Sequence, residues 1–168
     1  MFAPVESAFE RSLAILNKLE WIGPLAVRVA LGIVFVTAGW GKLHGLDDVT
    51  QYFASLGIPA PHAQAVLVSL IEFVGGLLLV LGLGTRIAAL LLVGVMAVAI
   101  WTAKLPEVHG IADLAGTVEV AYLVMLVWLL LRGGGAASID HVLGRRLSTE
   151  KTIQSQRNAA AIRETVTP

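Results

Sequence analysis

The chain of 168 residues has no cysteine. That absence excludes disulfides, thiolate metal sites, dithiol relays and a cysteine nucleophile together. Any electron transfer must therefore run through a bound cofactor or substrate. Charge is scarce too, at 14% of residues, where soluble domains carry about 25%. No basic patch is interleaved with aromatics, so a nucleic acid partner is not expected. There is no phosphate-cradling loop, nucleophile elbow or metalloprotease helix, and Gly133-Gly134-Gly135 has no strand before it. His44, His62 and His109 fall only at the borders of apolar runs or between them, and His141 follows the last run. A bis-histidine haem across a bundle interior is therefore not predicted, and His44, His109 and Glu119 lack any metal-ligand spacing. No secretory n-region, short h-region and cleavage site opens the chain, so the first apolar run is expected to be a permanent anchor.

What the chain has in abundance is apolar surface: 57% hydrophobic residues, with a mean hydropathy of +0.81. Four runs approach the roughly 20 residues that a spanning helix needs. They are Ile22 to Gly41, Ala63 to Thr85, Ile87 to Ala103 and Ile111 to Leu131. Backbone groups in hydrocarbon must be satisfied internally, so the expected fold is all-α, an antiparallel bundle of four transmembrane helices. Continuous apolar runs, not ten-residue alternation, exclude a strand reading. Gly57 to Pro61 breaks the chain before the second helix, and Gly82 to Arg86 makes a short turn into the third. Lys104-Leu105-Pro106 ends the third, and the glycine run from Gly133 ends the fourth.

The predicted organisation is an N-terminal segment (1–20), a four-helix transmembrane domain (21–132), a glycine-rich segment (133–147) and a polar tail (148–168). Phe2, Val5, Phe9, Leu13 and Leu16 share one helical face, which suggests an amphipathic interfacial helix. Arg11, Lys18, Arg86, Arg132, Arg145, Arg146, Lys151, Arg157 and Arg163 gather on one side of an even-numbered bundle. Only Lys42 and Lys104 mark the other side. The positive-inside rule then places both termini in the cytoplasm.

Glu72 lies in the middle of an otherwise uncharged run. A carboxylate at bilayer depth is costly, by a few kcal/mol on insertion scales, and marks a functional site unless it has only a structural partner. At about 1.5 Å of rise per residue, Glu72 sits roughly 14 Å below Ala63, and Glu119 roughly 9 Å below Asp113. Lys42 closes the outer end of its helix, with Arg28 roughly 21 Å beneath it. Lys42 is in reach of Glu72 or Glu119 from above, whereas Arg28 either extends toward Glu72 from below or snorkels to phosphates. The expected arrangement is a polar line in the outer half, closed at the bottom by Arg28. Arg28, Gly32, Phe35, Gly39 and Lys42 share one helix face, as do Glu72, Gly75, Gly76, Leu79 and Gly82, so both polar groups face inward. Glycines on such faces let helices approach closely.

Several of these residues together resemble the DoxX family. Arg28 to Phe35 followed by Gly39-Trp40-Gly41-Lys42 looks like the family's opening helix. Glu72 to Arg86 is similar to its second helix and turn, and Glu119 matches an acidic residue near the start of its fourth. Gly133 to Asp140 resembles the family's glycine-rich ending, with Ala137 where an aromatic residue usually stands. The resemblance spans about Gly23 to Leu147. It implies a bacterial inner-membrane protein, and relatives that range from a quinone-reducing subunit of thiosulfate dehydrogenase to stress-complex partners, a maturation factor, and eukaryotic cargo receptors and receptor chaperones. The absence of cysteine argues against the thiol-dependent maturation branch.

The first functional expectation is a quinone-interacting oxidoreductase subunit. Glu72 and Glu119 would supply protons; Arg28 and Lys42 would bind a developing oxyanion. Trp40, Phe35 and Tyr122 would flank the ring, and His109 would add a substrate-binding contact at the outer rim. Quinone is then a substrate, no metal or haem is predicted, and the partners are lipid, a redox subunit or further copies of the chain. A non-catalytic anchor or assembly partner is the second reading. A small proton-coupled carrier is the third.

Overall fold

A computed structural model describes residues 17–142, together with the isolated positions 151 and 158. The N-terminal amphipathic face and almost all of the polar tail lie outside the described residues. Every regular element among the described residues is helical: α1 Ile22–His44, α2 Leu46–Ser55, α3 Pro61–Leu81, α4 Thr85–Ala99, α5 Ile111–Ala115 and α6 Val118–Arg132, with a π-helical turn at Ile100–Lys104 continuing α4. Three helical stretches, Asn17–His44, Pro61–Leu81 and Thr85–Lys104, are long and apolar enough to cross a membrane.

Local sequence sets the ends of these helices. Pro61 occupies the first position of α3, where its missing N–H costs nothing. Ala60 before it is displaced from the right-handed helical region, as a residue preceding proline is, and sits at φ 50°. At the other end Gly82 adopts φ 69°, with the Leu83 N–H donating to the Leu78 carbonyl at 3.0 Å and the Gly82 N–H to the Leu79 carbonyl at 3.2 Å. This is a Schellman ending, and it turns the chain sharply into α4 so that the two helices run antiparallel.

One expectation is corrected by the structure. The run from Ile111 to Leu131 is not one helix. Gly116 and Thr117 interrupt it, with Thr117 extended at ψ 144°, because the Gly116 N–H closes α5 on the Ala112 and Asp113 carbonyls. Glycine loses more freedom in a helix than other residues, so the break falls there. The stretch between the first two long helices contains α2. Asp47 and Asp48 stand in its first turn, where the helix dipole favours negative charge.

Helix α1 packs most extensively on α3, and α4 on α6. In hydrocarbon the driving force is close packing, because lipid tails are as apolar as leucine. The α1–α3 seam shows this directly. A Cβ built on Gly76 would stand 2.6 Å from the Val36 nitrogen, and one on Gly32 would stand 2.9 Å from the Gly76 carbonyl. The backbones touch, so a larger residue has no room. Leu31, Phe35, Leu79, Leu92, Leu126 and Leu129 fill the centre. Large apolar side chains also cover the outside, among them Ile87, Leu90, Trp101 and Val124. An apolar exterior around a packed helical interior suits lipid, not water.

Candidate functional site

Glu72, on the inward face of α3, is only 2% exposed, and Lys42 reaches it from the end of α1. The Lys42 Nζ lies 2.5 Å from both Oε1 and Oε2, so one ammonium engages both carboxylate oxygens. Lys42 itself keeps 34% of its side-chain surface exposed and faces a cavity. That cavity has a volume of about 950 Å³. Leu67 and Ile71 of α3 face Leu91 and Val95 of α4 across it, and Tyr52 and Phe53 of α2 cover one side. Leu67, Leu91 and Val98 line it and are also exposed, so it opens between α3 and α4 on the lipid-facing flank.

A second ion pair stands on another wall. Lys104, at the end of the π-helical turn, lies 3.8 Å from Glu119 Oε1 at the start of α6 and 3.3 Å from Glu107 Oε2. Both Lys104 and Glu119 line the cavity. The space therefore carries an apolar interior with a lysine–carboxylate pair at each of two places. Asp48 and Gln64 add further polar groups to its lining. Ligand sites in general combine an apolar pocket with a few convergent polar groups, and the volume falls in the usual range of about 300–1,000 Å³.

The structure thus brings Glu72, Glu119 and Lys42 to one cavity. It does not bring Arg28 there. Arg28 is buried at the opposite end of α1, where Nη1 donates to the Gly134 carbonyl at 2.9 Å and Nη2 to the Ala137 carbonyl at 3.0 Å. The expected line closed by Arg28 beneath Glu72 is replaced by two separate polar sites. The reason is the glycine-rich segment, which folds back under the bundle and offers carbonyls to the guanidinium. Asp140 completes that closure by accepting from the Gly84 N–H at 2.7 Å and the Thr85 N–H at 2.9 Å, capping α4 from 56 residues away. Desolvation acts to raise the Asp140 pKa, but those two backbone donors and the Arg28 charge outweigh it and hold the carboxyl below its ordinary value.

The other expected contacts also fall outside the cavity lining. Trp40 packs on Phe73 with ring centroids 5.6 Å apart and on His44 at 4.2 Å, on the exposed side of α1. Tyr122 meets Phe35 edge-on at 6.0 Å within the core. His109 is exposed, its backbone N–H directed at the Asp113 carboxylate. Sequence reasoning missed Tyr52, Asp48 and Lys104. The acidic first turn of α2 was a signal for Asp48, and the lysine ending the third apolar run was one for Lys104; nothing in the letters singles out Tyr52.

The fold and cavity define a helical membrane protein with paired charges around a lipid-accessible apolar space. The family model described as DoxX matches residues 23–105. The chain is 33% identical over 131 residues to "Inner membrane protein YqjF" of Escherichia coli, covering 78% of this chain and 99% of that protein. It is 35% identical over 127 residues to "Putative oxidoreductase CatD" of Bacillus subtilis, covering 74% of this chain and 90% of that one. No solved structure matches. The chain belongs to the DoxX family.

Proposed function

We propose that this protein is a quinone-interacting subunit of an oxidoreductase system in the bacterial inner membrane. The observation that carries the reading is the cavity, apolar and open toward lipid, with Lys42–Glu72 and Lys104–Glu119 on its walls. A prenylated ring needs such a space. Its reduction to quinol takes two electrons and two protons, and each carbonyl oxygen needs a donor as negative charge develops. Lysine ammonium groups supply the donors, the adjacent carboxylates exchange the protons, and a partner redox subunit supplies the electrons. The names of the E. coli and B. subtilis relatives agree with an inner-membrane location and with oxidoreductase chemistry.

The same reading has α5 and α6 together as a fourth crossing. Alone, the 15 residues of α6 span about 22 Å, short of a hydrocarbon core of about 30 Å. Four crossings put both termini on the side of Arg86 and Arg132, the cytoplasmic side by charge. A non-catalytic anchor or assembly partner is the second reading. It is favoured by the bidentate Lys42–Glu72 contact, which also suits a fixed tie between α1 and α3. The two are separated by membranes carrying Glu72→Gln. Impaired quinone-linked electron transfer at unchanged protein and partner levels supports the first reading; loss of a co-purifying partner with electron transfer intact supports the second.

A further inference from the structure

Between Ile100 and Lys104 the third long helix changes its winding. The Leu105 N–H donates to the Ile100 carbonyl at 2.8 Å, a bond of i to i+5 spacing. Within the same stretch the Thr102 hydroxyl donates to the Val98 carbonyl at 2.8 Å. One extra residue in a turn rotates everything after it by about 100° relative to a straight α-helix. Here the rotation has a definite result. Thr102, Ala103 and Lys104 line the cavity, while Trp101 points outward with 74% of its surface exposed. Turns of this type are frequent at functional sites.

Lys104 is also incompletely used by its partners. An ammonium has three donors. Glu107 and Glu119 lie at 3.3 and 3.8 Å, and the side chain remains 31% exposed. Lys42 cannot serve a whole quinone, because the two carbonyl oxygens of the ring project from opposite ends.

We infer that Lys104 is a second ligand-binding cation of the cavity, placed on its wall by the π-helical turn, and that it holds one carbonyl oxygen of the ring while Lys42 holds the other. This inference rests on the quinone reading of the cavity and adds to it a two-point binding mode. The turn, on this account, sets the winding that makes the second point available.

The test uses the full-length protein in lipid nanodiscs, titrated with decylubiquinone and with an alkyl-tailed ring bearing a single carbonyl. The unaltered protein should bind decylubiquinone saturably. Lys104→Gln should weaken that binding about tenfold, the scale of one charge-assisted contact, and change single-carbonyl binding by less than twofold. Lys104→Arg should retain most of the affinity. Undiminished decylubiquinone binding in Lys104→Gln overturns the inference and leaves the cavity reading standing. Equal losses for both ligands reduce Lys104 to a structural role and overturn it as well. No saturable binding by the unaltered protein overturns both.

Discussion

Lys42 and Glu72 meet across the α1–α3 seam with unequal burial, the carboxylate 2% exposed and the lysine 34%. That asymmetry decides what each substitution does. Removing Lys42 strands a buried charge, which costs about 3–5 kcal/mol, whereas removing the charge of Glu72 leaves a lysine already partly in the cavity. Lys42→Met should therefore destabilise the protein by about 3 kcal/mol and Glu72→Gln by about 1 kcal/mol. The double variant Lys42→Met with Glu72→Met should lie near the unaltered protein. Thermal unfolding in nanodiscs reads all three, and equal losses for the two single variants would contradict the burial argument.

The glycine seam predicts an opposite pair of outcomes. Gly76→Ala places a Cβ 2.6 Å from the Val36 nitrogen, so α1 and α3 must separate, at a cost of about 1–3 kcal/mol. Gly94 has nothing within 4 Å of its would-be Cβ and lines the cavity. Gly94→Ala should leave stability unchanged or raise it by about 0.5–1 kcal/mol. Gly94→Leu should fold and yet lose quinone-analogue binding by filling the space. Unfolding midpoints and analogue titrations separate the two effects.

Asp140 makes stability depend on acid pH. Its folded-state pKa is depressed, so its contribution is complete above the ordinary carboxylate value of about 3.9 and is lost as pH falls through the lower folded value. Replacing it with alanine should cost about 1–2 kcal/mol at neutral pH, the scale of a lost helix cap. The variant's unfolding midpoint should also vary less with pH across the acid limb. A variant with the unaltered protein's acid slope would show that the carboxylate contributes nothing there.

Arg28 should behave as part of the closure, not of the cavity. Its planar fork reaches two carbonyls at once, which a lysine cannot reproduce. Arg28→Lys should speed hydrogen exchange in residues 133–142 several-fold while analogue affinity stays within twofold. A large affinity loss without faster exchange would return Arg28 to the ligand site.

The parts legible in the sequence were those governed by local chemistry. Pro61 and Gly82 bracket α3 because one lacks a donor and the other tolerates positive φ, and both properties are visible in the letters. Helical rise and face put Lys42 within reach of Glu72. The illegible parts depend on competition between distant groups. Nothing near Arg28 announces the Gly134 and Ala137 carbonyls, more than 100 residues on. Lys104 ends the third long helix as the letters indicate, but periodicity assumes constant winding, so its place on the cavity wall, set by the turn at Ile100, was not legible. The division at Gly116 was hidden inside an apolar run.

The most direct test of the central claim is photolabelling with an azido-quinone in membranes holding the full-length protein. The account predicts label on cavity residues such as Tyr52, Phe53 and Met96, removed by excess unmodified quinone. Label confined to outward-facing residues such as Trp101 and Val124, and insensitive to competitor, would contradict it.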